Sequence, residues 1–187
     1  MMERLRKAHK HGFTLVELAL VLVIIGLLIT GVLKGEALIQ NAKVKKLVNQ
    51  KELITAAYYT FYDKYGMYPG DENIANAPRN DTHNGNGDGQ ITGNERWYLF
   101  EDLVLAEIIN GSYAGVANDV PTHPFGSWLR IEWYASLQSN CIWLNAIPYD
   151  IAELLDRKYD DGVYNTGSIR ANSAYTNTNA KVVYWRM

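Results

Sequence analysis

Oxygen-bearing side chains recur at nearly every second position of a polar stretch in the middle of the chain. A twelve-residue loop that binds a hard cation such as Ca²⁺ needs several oxygen ligands, a glycine for its sharp turn and a bidentate carboxylate at its last position. Gly89 stands where the loop needs its turn glycine, and Glu95 stands where it needs its final carboxylate. The spacing predicts a calcium loop over 84–95, with these ligands: Asn84, Asn86, Asp88, the carbonyl of Gln90, Thr92 through a water, and Glu95.

Two features qualify the predicted loop. Asn84 stands where the pattern has an aspartate, so only two of the predicted ligands are charged and a weak site is expected, with a Kd on the order of 10⁻⁴ to 10⁻³ M. Pro78 argues against an entering helix, so the stretch resembles an EF-hand loop but not an EF-hand pair. The alternative is a flexible Asn/Gly-rich surface loop. Calcium is preferred because Gly89, Ile91 and Glu95 stand where the loop requires them, with Ile91 turned into the core.

Patterns that carry catalysis are missing from the sequence. It contains no H-E-x-x-H, no G-x-S-x-G, no P-loop and no C-x-x-C pair. His83 and His123 are far apart and flanked by loop residues, which favours solvated or structural roles. Cys141 is the only cysteine, so an intrachain disulfide is excluded, and its apolar neighbours indicate a buried structural thiol. We therefore expect no catalytic residue and no enzyme activity.

A long apolar segment precedes the polar part of the chain. Residues 13–33 contain one ionisable side chain, Glu17, and about 20 helical residues suffice to cross a bilayer core. The preceding segment, 1–12, is basic, so the positive-inside rule keeps it in the cytoplasm and sends the rest of the chain across the membrane. This leader has one acidic residue, Glu3, and four basic residues: Arg4, Arg6, Lys7 and Lys10.

Glu17 is the unusual residue of the apolar segment. A carboxylate inside a membrane span is costly and usually marks function, so it requires a partner. Cleavage after Gly12 would create an α-amino group on Phe13, one helical turn from Glu17 of the same helix or close to Glu17 of an adjacent one. The opposite charges would offset each other's desolvation. This arrangement indicates a subunit that polymerises through its helix.

The stretch 12–17, GFTLVE, resembles the N-terminal signal of type IV pilins and type II secretion pseudopilins. The resemblance implies that a prepilin peptidase cuts after Gly12 and N-methylates Phe13, and that Glu17 neutralises the amino terminus of a neighbouring subunit. Many members have a proline near the end of the apolar run, where this chain has Lys34.

The function implied by this resemblance is a structural subunit, major or minor, of a type IV pilus or a type II secretion pseudopilus. The implied partners are other pilins or pseudopilins, the prepilin peptidase, an inner-membrane assembly platform and membrane lipid. The implied location is the bacterial inner membrane, as a single-pass protein with its C-terminal domain in the periplasm or outside, and then the filament.

Other interpretations of the chain remain open. The apolar segment could be a simple anchor with an incidental glutamate or an ordinary secretory signal. The chain could also be a membrane-anchored or filament-tip protein that captures a ligand such as DNA or glycan. Without the leader, the chain would keep 14 of its 18 basic and 19 of its 20 acidic residues, a formal net charge of about −5. Nucleic acid is therefore not an expected partner.

The predicted fold class is α+β, in three segments: a cleaved leader over 1–12, one helix over 13–65, and a globular domain over 66–187. The helix is predicted to be transmembrane in its first half and amphipathic in its second, where it packs on a small antiparallel sheet with short helices. Gly66 and Pro69 should end it. A coiled coil is the alternative, but no heptad repeat is sustained. Apolar residues recur at helical spacing at Val44, Leu47, Ile54, Tyr58, Phe61 and Tyr65.

The domain after the helix is predicted from shorter patterns. Trp97, Trp133 and Trp143 lie on apolar faces, so we expect them in the core. The expected elements are a helix over 94–109, strands over 128–135 and 142–144, a helix over 148–158, a surface loop over 165–179 and a last strand over 181–185.

Overall fold

The computed structural model describes residues 14–176 and 178–187 and confirms the α+β prediction. A long helix precedes a four-stranded antiparallel sheet and two short helices. The elements are α1 (Leu15–Tyr65), α2 (Glu95–Leu105), β1 (Leu129–Tyr134), β2 (Ser139–Ile147), α3 (Tyr149–Tyr159), β3 (Ile169–Ala171) and β4 (Lys181–Arg186).

Two compact units divide the described chain, one ending at Ala42 and the other beginning at Lys43. In the first unit the apolar side chains of α1 are exposed in the isolated chain. Among the described residues, α1 is the one helix long and apolar enough to cross a membrane.

In the second unit, α1 contributes one apolar stripe to the core. Tyr58 and Phe61 are fully buried there. The stripe is part of the same cluster as the sheet residues, so core packing of the amphipathic half is confirmed. The helix ends as predicted at Tyr65, because Gly66 adopts a positive φ of 77° and its N–H donates to the carbonyl oxygen of Tyr62. The buried members of the stripe are Val44, Leu47, Val48, Ile54, Ala57, Tyr58 and Phe61.

The sheet has the strand order β1-β2-β4-β3, and all neighbouring pairs are antiparallel. Ile131 of β1 lies opposite Ile142 of β2, which lies opposite Trp185 of β4. Because side chains alternate along a strand, this register places one apolar row on the core face of the sheet. The core face of the sheet is thus formed by apolar side chains from the edge strand β1 and from the central strands β2 and β4.

Three expectations were wrong. The predicted loop over 165–179 contains strand β3, which pairs with β4. The helix predicted over 94–109 ends at Leu105, because Glu107 adopts a positive φ of 61°. Trp97 and Trp143 are only half-buried: their rings lie 5.5 and 5.1 Å from the guanidinium of Arg130, so they cover a cation on the outer face of the sheet. Trp133 is also half-buried.

Candidate functional site

The first turn of α1 is closed by three hydrogen bonds between Thr14 and Glu17, which run in both directions. The backbone N–H and the hydroxyl of Thr14 donate to Oε2 of Glu17 at 2.8 and 2.9 Å. The backbone N–H of Glu17 donates to Oγ1 of Thr14 at 3.2 Å. This is a capping box, in which a Thr and a Glu three residues later satisfy the open N–H groups at a helix start.

The capping box gives Glu17 a local role that the sequence analysis missed, although the T-x-x-E pattern was visible at 14–17. The predicted processing residues Gly12 and Phe13 lie outside the described residues. The structure locates Glu17 at the third helical position of α1, and it is the fifth residue after the predicted cleavage site.

In the second unit, the predicted calcium loop is wrapped around the carboxylate of Asp71, a residue that precedes the loop. Oδ1 of Asp71 accepts the N–H groups of Gly87 and Asp88 at 2.9 and 3.1 Å, and Oδ2 accepts the N–H of Gly89 at 2.7 Å. Burial raises the pKa of Asp71, although these three bonds oppose the shift. Asp71 therefore sets the loop's conformation.

The first predicted ligands are bonded to one another. Asn86 donates through Nδ2 to Oδ2 of Asp88 at 3.1 Å, and its Oδ1 accepts the N–H of Asp88 at 2.8 Å. Oδ1 of Asp88 accepts the N–H of Gln90 at 2.8 Å. Asn84 is exposed at the beginning of the loop. The structure thus brings Asn86, Asp88 and Gln90 together into one tight turn.

The last predicted ligand, Glu95, closes the loop from the first residue of α2. Its Oε1 accepts the N–H of Asn86 at 3.1 Å, and its Oε2 accepts the N–H and the hydroxyl of Thr92 at 2.7 and 3.3 Å. Burial raises the pKa of Glu95, and the nearby negative charge of Asp71 adds to this effect. A cation in the loop would offset that repulsion.

The far side of the loop is anchored to the core by Ile91 and Asn140. Ile91 is fully buried, as predicted. Its N–H donates to Oδ1 of Asn140 at 2.9 Å, and Nδ2 of Asn140 donates to Gly89 O and to the hydroxyl of Tyr58, each at 2.9 Å. One buried amide therefore links the loop, β2 and α1.

A comparison with protein-family models decides what the N-terminal residues are. Residues 7–33 match the model described as the prokaryotic N-terminal methylation motif. The chain carries the signal of type IV pilins and pseudopilins. Comparisons with curated proteins and with solved structures found no match.

This pilin-type signal covers the N-terminal residues for which processing is predicted. The matched range contains Gly12, Phe13 and Glu17 together with most of the apolar run. The motif indicates a pilin-like substrate of a prepilin peptidase. Together with the long apolar helix, it fits a single-pass, membrane-anchored pilin.

His123 and Cys141, whose side chains could in principle take part in catalysis, are both buried. His123 is buried, its Nε2 lies 2.7 Å from Asn145 O, and its Nδ1 accepts the N–H of Phe125 at 3.2 Å. Burial lowers the pKa of this histidine, which keeps the ring neutral. Cys141 is fully buried, and burial raises its pKa to about 11, so it is the inert thiol that the sequence predicts.

Proposed function

We propose that this chain is a structural pilin or pseudopilin that polymerises through α1 after a prepilin peptidase cuts behind Gly12. The observation that carries the proposal is the family match over 7–33, in register with the helix that begins at Leu15. The exposed apolar surface of α1 supports it, because such a surface requires lipid or other helices as its surroundings. In this function the chain is a building unit and not an enzyme.

The proposed location before assembly is the bacterial inner membrane. The basic residues of the leader hold 1–12 in the cytoplasm, where the peptidase would act, and the unit that begins at Lys43 lies on the other side. An inner-membrane platform would then move the subunit from lipid into the filament.

The proposed assembly contact joins Glu17 of one subunit to the amino terminus of another. Within the described residues, Thr14 bonds only Oε2 of Glu17. The other oxygen, Oε1, is therefore the one through which Glu17 can meet the α-amino group of Phe13 in a neighbouring helix. In this pair, each charge offsets the free-energy cost of placing the other in an apolar environment.

Deleting the gene tests the proposed function and separates its two forms. Protein secretion, twitching and DNA uptake are scored side by side in the native cell. We expect the loss of secretion if the filament is a pseudopilus, or the loss of twitching or uptake if it is a surface pilus. A plasmid copy of the wild-type gene should restore the lost activity, and a deletion that changes none of the three contradicts the proposal.

The proposal extends to calcium in the loop 84–95. The loop's two charged predicted ligands, Asp88 and Glu95, both accept hydrogen bonds from Asn86, and none of the predicted ligands is cationic. The chain has one cysteine, so a disulfide cannot hold this loop. Calcium bound by Asn84, Asn86, Asp88, Gln90, Thr92 and Glu95 would supply that constraint.

Thermal melts of the full chain in detergent test the loop. Calcium at about 10 to 100 times the Kd of the loop stabilises a protein by about 1.4–2.7 kcal/mol, so the loop should contribute about 3–8 °C to the rise in Tm over a chelator control. Asp88→Asn should reduce this rise, because it removes one of the two charged ligands of the loop. The matched control is Asp63→Asn, an exposed carboxylate on α1. An equal rise for wild type and Asp88→Asn would refute calcium binding by this loop.

A further inference from the structure

A second group of carboxylates lies outside the predicted calcium loop. Glu72 and Asp81 belong to the segment between α1 and α2, and Asp102 lies in α2. One oxygen of each lies within 4.8 Å of the others. The side chains of Glu72 and Asp102 are both 0% exposed. We call these three residues the acidic triad.

Each carboxylate of the acidic triad uses one oxygen and leaves the other without a hydrogen-bond partner. Oε2 of Glu72 accepts the backbone N–H of Ile74 at 3.1 Å. Oδ1 of Asp81 accepts the N–H of His83 at 3.0 Å. Oδ2 of Asp102 accepts the N–H of Gly70 at 2.5 Å. The remaining oxygens are buried and have no N–H or cationic partner: Glu72 Oε1, Asp81 Oδ2 and Asp102 Oδ1. Glu72 and Asp81 can hydrogen-bond each other only while one of them holds a proton. Buried polar atoms in folded proteins nearly always have partners, so these three point to a missing one.

Within the described residues, no Lys, Arg or His forms an ion pair with the acidic triad; His83, whose ring lies near Asp81, pairs with Glu101 instead. The ion pairs of residues 14–176 and 178–187 use the carboxylates of Glu101, Glu132 and Glu153 instead. Three adjacent negative charges, two of them on fully buried carboxylates, are strongly unfavourable without a counter-charge. The missing partner should therefore carry positive charge.

The pKa values of the triad agree with this geometry. Burial raises the pKa of Asp102 to about 9, with a further contribution from the charges of Asp81 and Glu72. Burial also raises the pKa of Glu72 to about 7, and Asp81 adds to the shift. In the absence of a cation, protons shared between these carboxyl groups would relieve the repulsion. A cation would take the place of those protons.

We propose that Glu72, Asp81 and Asp102 bind one Ca²⁺ ion, in a site distinct from the loop 84–95. The donors are all oxygen, the ligand atom that Ca²⁺ prefers, and one oxygen of each residue lies within 4.8 Å of the others, so small side-chain shifts would bring all three to the usual Ca–O distance. Mg²⁺ keeps several of its waters, which poorly suits a site in which two of the three side chains, Glu72 and Asp102, are fully buried. Zn²⁺ prefers nitrogen or sulfur, and the nearest histidine nitrogen, Nδ1 of His83, is paired with Glu101 at 2.6 Å.

The ion would join α2 to the segment that follows α1. Asp102 reaches the backbone of Gly70 from α2, and Glu72 O accepts the N–H of Gly85 at 2.7 Å, at the beginning of the predicted loop. The site thus adjoins the beginning of the loop and shares none of the loop's six predicted ligands. With three charged ligands against two in the loop, it should be the tighter site, with a Kd at or below about 10⁻⁵ M.

Calorimetric titration of the processed full chain in detergent tests the acidic triad, with CaCl₂ as the probe after removal of metal by a chelator. Wild type should bind Ca²⁺ with a tight first equivalent. Asp102→Asn and Glu72→Gln keep the oxygens that accept from Gly70 and Ile74 and remove one charge each, so both should lose the tight equivalent. Asp88→Asn should keep it, as should Asp63→Asn.

Melts in chelator complete the test. Each of the two triad variants should melt no lower than wild type without calcium, because the amide keeps the oxygen that accepts the backbone N–H and is neutral without having to bind a proton. A lower Tm in chelator for both variants would mean that the carboxylates form a structural network without an ion, and would overturn the proposal. A tight equivalent that persists in both variants, or equal binding of MgCl₂, would overturn it as well. None of these results depends on whether the chain enters a filament.

Discussion

Filaments are expected to lose this subunit when Glu17 is replaced by alanine. The amino group of Phe13 in a neighbouring subunit would then remain charged and unpaired among apolar helices, which is costly. The amount of this subunit in filaments sheared from cells, quantified by immunoblot, should fall about tenfold or more. The cleaved and uncleaved forms are scored on the same blot, so a loss in assembly is distinguished from a loss in processing.

A matched variant separates the charge of Glu17 from its role in the capping box. Glutamine also closes a capping box at this position, so Glu17→Gln keeps the bonds to Thr14 but lacks the charge. It should be lost from filaments like Glu17→Ala. Glu36→Ala, which removes an exposed carboxylate further along α1, should assemble normally. Normal assembly of Glu17→Gln would show that capping, and not charge, is what Glu17 contributes.

The second large effect is expected from Phe61, on the buried stripe of α1. Its side chain is 0% exposed and packs 4.5 Å from the ring of Tyr65, between ring centroids. Phe61→Ala should lower the free energy of unfolding by about 3–5 kcal/mol, since it removes buried apolar surface and leaves a cavity. This is a large share of the about 5–15 kcal/mol that stabilises a typical domain. Urea unfolding of the full chain in detergent, followed by tryptophan fluorescence, measures the change.

The control for Phe61 lies on the same helix. Leu53 is 72% exposed, so Leu53→Ala should change the free energy of unfolding by about 0.5 kcal/mol or less. Equal losses for the two variants would mean that the stripe on α1 does not pack as the structure describes.

Local patterns were sufficient to predict most of the fold. The apolar stripe from Val44 to Phe61 and the turn at Gly66 gave α1 its amphipathic half and its end. Strand β3 was missed because Ile169–Ala171 is only three residues long and lies in a polar stretch. It is a strand because β4 offers it partners, which is information that its own sequence does not contain.

The candidate sites were only partly predictable, for the same physical reason. The calcium pattern correctly placed Ile91 in the core, yet Asp71, which organises the loop, lies outside the pattern. The acidic triad combines residues up to 30 positions apart, from Glu72 to Asp102. Spacing rules apply within one helix, strand or loop, and they carry no signal for contacts made by tertiary packing.

The most direct test of the central claim is the N-terminus of the protein as isolated from its native cell. Mass spectrometry of the N-terminal peptide should show that residues 1–12 are absent and that the chain begins at Phe13 with one added methyl group. A protein that retains Met1 and the rest of the leader would contradict the proposal that this chain is a processed filament subunit.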